Sequence, residues 1–148
     1  AIITTNPSIA LAVMVADCVP LLLSNEKSVA AVHVGRKGLL NEVAERTIAA
    51  MSSIDSSPIT AIIGPSICGR CYEVSEDVFT EVTTAFPHSR SKTSGGGFAL
   101  NLALALISDL QKAGVTVLDH SRCTVEEPSL YSYRRDGVTG RQVGLIWL

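Results

Sequence analysis

Four short apolar runs, Ile9 to Val15, Pro20 to Leu23, Val29 to Val34 and Ile59 to Ile63, dominate the first half of this 148-residue chain. They are rich in Val, Ile, Leu and Ala, the signature of strands covered on both faces, and together they predict a central sheet. Between and after them the apolar period lengthens. Leu40, Val43, Ala44, Thr47, Ile48 and Met51 fall on one helical stripe, as do Val78, Phe79, Val82 and Phe86. Asn101 is the expected N-cap of a third helix running to Lys112, with Gly114 ending it. Val115 to Leu118 and Val143 to Trp147 read as further strands. The pattern implies a single α/β domain spanning 1–148, a central sheet with helices laid on it.

Hydrophobic residues make up 47% of the chain and the formal net charge is -2. That content suffices for a sizeable core, and the charge offers no positive field for nucleic acid or an anionic membrane. No apolar run reaches the roughly 20 residues that cross a bilayer. With four cysteines, no basic leader with a small-residue cleavage site, and an apolar core that needs no staples, the expected setting is a reducing cytoplasm. The chain opens at Ala1 already in strand-like sequence, so processing or truncation before Ala1 is expected.

Two short strings carry the first chemical signal. Cys18 lies in Ala-Asp-Cys-Val-Pro (16–20) and His33 in Ala-Val-His-Val-Gly (31–35), each where a strand gives way to a loop. Folds of this class place ligand sites at strand ends, and a thiolate and an imidazole are two of the three protein ligands of an open zinc site. A small buried cysteine and a core histidine satisfied by a carbonyl are the competing reading. Asp17, pointing away from Cys18 in an extended segment, reads as structural or supporting, with acid/base work as the alternative.

The segment 64–74, Gly-Pro-Ser-Ile-Cys-Gly-Arg-Cys-Tyr-Glu-Val, joins a strand to a helix expected to begin at Ser75. Its Cys68-x-x-Cys71 has redox or structural-zinc spacing, but a zinc knuckle wants a second close pair and Cys123 stands alone. Near the end, Arg134 and Arg135 fall on a segment read as extended, so that one enters a pocket while the other pairs with a scaffold carboxylate. A charged hairpin around Asp136-Gly137 competes with that reading. The polar stretch Pro87 to Gly97, with three successive glycines and no phosphate-loop pattern, reads as a solvated surface loop.

Taken together, the strings at 16–20, 31–38, 63–74, 123–124 and 132–141 resemble the YfiH-like, laccase-domain family, in that family's order and over nearly the whole chain. The resemblance implies an α/β layered sandwich, a central mixed sheet flanked by helices, and a zinc-dependent enzyme acting on purine nucleosides. Its expected activities are phosphorolysis of adenosine, inosine, guanosine and methylthioadenosine, and adenosine deamination. Purine nucleoside and phosphate are the expected partners of a monomer or homodimer. Cys18 and His33 match two family metal ligands. The third, a histidine of a Gln-Val-His-Gly-like string, precedes the segment where this chain begins, and neither His88 nor His120 matches it. Arg36 stands where the family more often carries tryptophan, and substrate contacts are expected from Arg36, Arg134 and Arg135. Arg134 is also expected to stabilise phosphate or the departing purine, and Glu73 to transfer a proton. Three alternatives accompany the resemblance: copper-dependent polyphenol oxidation, peptidoglycan editing on a cell-wall precursor, and a non-catalytic fragment or binding module.

Overall fold

The computed structural model describes residues 1–148. Five strands form a mixed sheet: β1 (Ile2–Thr4), β3 (Val19–Ser24), β4 (Val29–Val34), β5 (Thr60–Ile63) and β8 (Thr116–Asp119), ordered β1-β4-β3-β5-β8. All neighbours are antiparallel except β5 and β8. One face is covered by helices α1 (Arg36–Leu40), α2 (Val43–Ile54), α3 (Glu76–Ala85) and α4 (Leu102–Lys112). The main core lies there, joining Leu21, Leu23, Ala30, Val32, Val34, Ala61 and Ile63 to Met51, Phe79, Val82, Leu106 and Leu110. The sequence periodicity of these helices is what fills it, and burying each large aliphatic side chain contributes roughly 1.5–3 kcal/mol.

The other face is covered by strands. β2 (Leu11–Val15) does not join the central sheet; it pairs with β9 (Gln142–Ile146) in a separate antiparallel ribbon. Leu11, Val13 and Val15 point inward onto Val29 and Ala31, while Ala12 and Met14 face out. The outward residues are themselves apolar, which hid the alternation in the sequence.

Local chemistry sets the element ends. The Asn101 side chain accepts a hydrogen bond from the Leu104 N–H at 3.0 Å, capping α4, and Gly114 takes a positive φ of 77° after it. The stripe from Leu40 to Met51 is split into α1 and α2 because Glu42 adopts a left-handed φ of 54°. Part of the segment Pro87 to Gly97 is ordered: a 3-10 turn at Pro87–Ser89, then β6 (Arg90–Lys92), which pairs with β7 (Phe98–Leu100). Ser89 is fully buried, its hydroxyl donating to the Phe86 carbonyl. The segment 132–141 is not extended either: a single helical turn, α5 (Tyr133–Asp136), is capped by the Ser132 hydroxyl and left through Gly137 at positive φ. No helix is long and apolar enough to cross a membrane.

Candidate functional site

Cys18 and His33 meet one face of the central sheet. In the β3/β4 register His33 lies opposite Pro20 and Val34 opposite Val19, so Cys18, one residue before β3, stands beside Gly35. A Cβ on Gly35 would sit 3.0 Å from the Cys18 sulfur. Along β4, Val29, Ala31 and His33 alternate onto the face covered by the β2/β9 ribbon, and Cys18 packs against that same cluster. The ribbon strand β2 ends at Val15, and His33 is exposed. A sulfur and an imidazole therefore share the uncovered end of one face. Burial, followed by the neighbouring Asp17 carboxylate, pushes the Cys18 thiol up. No third histidine, cysteine or carboxylate closes on the pair.

Asp17 departs from the extended conformation read from the sequence: its φ is 90°. Such a backbone costs a non-glycine residue of order 1–3 kcal/mol. Its carboxylate offsets that by accepting three hydrogen bonds at 2.7 Å, from the Thr124 hydroxyl, the Ser132 hydroxyl and the Arg134 backbone N–H. The Asp17 carbonyl also accepts the Ile67 N–H at 2.9 Å. One residue thus ties together the motifs at 16–20, 63–74, 123–124 and 132–141.

A pocket of about 60 Å³ beside Cys18 is lined by Asp17, Cys18, Arg36, Ile67, Tyr72 and Leu102. Arg36 reaches it while paired with Glu81 of α3 at 3.2 Å. The Arg134 guanidinium lies 5.2 Å above the Tyr72 ring and donates to the Glu73 carbonyl at 2.9 Å. Tyr72 and Glu73 are held in place by the β6/β7 hairpin, through Leu100 N–H to the Tyr72 carbonyl and Val74 N–H to the Phe98 carbonyl. The Glu73 carboxylate lies on the other side, 3.2 Å from where a Cβ on Gly97 would stand. Arg135 has a different situation. Its N–H groups go to the carbonyls of Thr124 and Leu130 at 2.8 Å and to both oxygens of Asp136. Its charge is committed to the scaffold at the Asp136 side.

A second group of ligand atoms lies one loop away. Cys68, Cys71, Cys123 and Glu126 place their sulfurs and a carboxylate oxygen within 4.8 Å of one another, and this set can hold one metal ion. All four cysteines of the chain are free thiols. Burial first, then hydrogen bonds that its S–H donates to Cys68 and Cys123, push the Cys71 thiol up to about 12. Burial alone would raise the Cys123 thiol too, but the Cys68 backbone N–H at 3.4 Å and neighbouring amides hold it below its ordinary value. The sequence signal for the fourth member is the spacing Cys123-x-x-Glu126, equal to that of Cys68-x-x-Cys71, with a carboxylate in place of a second cysteine.

The family described as multi-copper polyphenol oxidoreductase laccase matches residues 1–148 in full. The chain belongs to this family. A relative from Corynebacterium glutamicum, named a purine nucleoside phosphorylase, is 42% identical over all of this chain and 62% of its own length. A purine nucleoside phosphorylase of Aquifex aeolicus is 33% identical over 97% of this chain and 68% of its own. The fold is that of a solved Neisseria meningitidis protein, with TM-score 0.86 and 37% identity over 99% of this chain and 63% of that one. YlmD from Geobacillus stearothermophilus gives TM-score 0.87 at 30% identity, over 98% of this chain and 59% of its own. The chain therefore spans about three-fifths of the length of most of these proteins.

Proposed function

We propose that this chain forms the larger part of a zinc-dependent purine nucleoside phosphorylase that also deaminates adenosine. The observation carrying the proposal is the meeting of Cys18, Arg36 and Tyr72 in one pocket, with the Arg134 guanidinium 5.2 Å above the Tyr72 ring. Relatives at 40–42% identity named purine nucleoside phosphorylase support the reaction class. The thiolate of Cys18 and the imidazole of His33 supply two protein ligands of an open zinc site. Zinc so held would polarise a water or a phosphate oxygen near neutral pH.

The remaining roles belong to side chains. Arg134, held by the Tyr72 ring and the Glu73 carbonyl, presents fixed positive charge to phosphate or to the departing purine. Arg36, steadied by Glu81, binds an anionic or polar group of the substrate at the pocket mouth. Arg135 supports Arg134 from the scaffold side, with a substrate contact open only to the part of its guanidinium left at the surface. Proton transfer is given to the Glu73 carboxylate, which would have to turn from its place beside Gly97 toward the pocket. At about 60 Å³ the pocket holds one end of a nucleoside, since whole-ligand sites run to several hundred Å³, and the rest of the ligand extends across His33. In a reducing cytoplasm the thiols stay available for these roles.

The test follows products from adenosine with the full-length, zinc-loaded enzyme. Phosphate-dependent release of adenine together with pentose phosphate supports the reading, and inosine marks deamination. Base release independent of phosphate, or no turnover, overturns it.

A further inference from the structure

We infer that Cys68, Cys71, Cys123 and Glu126 form a structural zinc site, separate from the Cys18/His33 pair and independent of the proposed catalytic reading. Two turns build it. In the first, the N–H groups of Cys71 and Tyr72 both donate to the Cys68 carbonyl, at 3.1 and 3.0 Å, folding Cys68-x-x-Cys71 into a knuckle. In the second, the Glu127 N–H donates to the Cys123 carbonyl at 3.0 Å, bringing Glu126 back over Cys123. A parallel bridge between Ser66 and Cys123 fixes one turn against the other, through Ser66 N–H to the Arg122 carbonyl and Thr124 N–H to the Ser66 carbonyl.

The donor set selects the ion. Sulfur ligands about 2.3 Å from a tetrahedral zinc lie roughly 3.8 Å apart, so atoms already within 4.8 Å close on one ion by small side-chain rotations. Three thiolates favour a soft or borderline metal, and a carboxylate as fourth donor favours Zn²⁺ over Cu⁺. Glu126 is now paired with Arg70 at 3.2 Å, both exposed, and an exposed ion pair of this kind yields readily to a metal. Its neighbour Cys71 already lies 3.7 Å from the Glu126 oxygen.

The ion would do mechanical work. The loop carrying Cys68 and Cys71 continues into Tyr72 and Glu73, which hold Arg134, and the segment carrying Cys123 continues into Thr124, which holds Asp17. A zinc at the junction locks both segments around the candidate site without touching substrate.

The experiment measures zinc per chain after gel filtration of the 148-residue protein purified under reducing conditions, with folding checked by circular dichroism. About one zinc per chain is expected, retained in Cys18→Ser and His33→Ala, lost in Cys123→Ser and Cys71→Ser, and retained in Glu126→Cys. Cobalt substitution of the unaltered chain, which needs no variant to fold, should give tetrahedral spectra with thiolate-to-cobalt charge transfer that survives Cys18→Ser. The assignment is overturned by zinc that follows Cys18 and His33 instead, by a metal-free chain with four titratable thiols, or by a disulfide among Cys68, Cys71 and Cys123 in place of metal.

Discussion

The Ser132 hydroxyl donates to the Asp17 carboxylate at 2.7 Å, across a separation of 115 residues. The same carboxylate takes the Thr124 hydroxyl and the Arg134 N–H, so the loop presenting Cys18 is anchored to the C-terminal motif by one charge. Asp17→Ala leaves three donors without their acceptor and keeps the unfavourable φ of 90°. A loss of about 2–4 kcal/mol in denaturant unfolding is expected, with Asp17→Asn intermediate because its amide restores one oxygen. Near-native stability of Asp17→Ala would remove the anchor role.

Adjacent arginines should separate by phenotype. Arg135→Lys loses the fork that serves the Thr124 and Leu130 carbonyls and Asp136, so it should lower Tm. Arg134→Lys should leave Tm nearly unchanged and raise KM for phosphate or nucleoside in the full-length enzyme. Thermal melts and steady-state kinetics on both variants decide; the reverse assignment would contradict the placement.

Glu73 offers a split between its two ends. Glu73→Gln keeps the carbonyl that holds Arg134 and removes the carboxylate's charge. If the carboxylate transfers a proton, kcat falls about 10²-fold or more with KM little changed. Unchanged kcat would leave Glu73 with its backbone role alone.

Glu45 on α2 gives a pH-dependent stability effect. Burial first, then the Asp109 and Glu42 charges, push its carboxyl above the ordinary range, against one backbone hydrogen bond that lowers it. The folded chain therefore binds this proton more tightly than the unfolded chain. Stability from the group is fully present below the ordinary carboxylate pKa and is lost as pH rises through the higher folded value. Glu45→Gln should raise Tm at neutral pH, with the gain vanishing under acid. A lower Tm at neutral pH would contradict the sign.

Much of the fold was legible because burial on both faces leaves uninterrupted apolar runs, as in β3, β4 and β5. β2 was assigned to the wrong sheet because Ala12 and Met14, on the exposed side of the ribbon, are as apolar as the buried Leu11 and Val13. The roles of Asp17 and of α5 depend on contacts more than 100 residues apart, which no local pattern contains. Glu126 was missed for a related reason: an exposed glutamate becomes a candidate ligand only when a bridge at Ser66 brings its turn to Cys68 and Cys71. The placement of Cys18 just before β3 and of His33 in β4 was readable, since a register between consecutive strands is a local matter.

The central claim is that Cys18 and His33 belong to the reacting centre. It is tested most directly by kcat/KM for phosphate-dependent adenosine cleavage in the full-length enzyme, with Cys18→Ser and His33→Ala compared to the unaltered protein at equal folded concentration. Each substitution should reduce kcat/KM by about 10³-fold or more, since each would remove one of the proposed zinc ligands. Phosphorolysis within a few-fold of the unaltered enzyme in both variants would place the chemistry elsewhere.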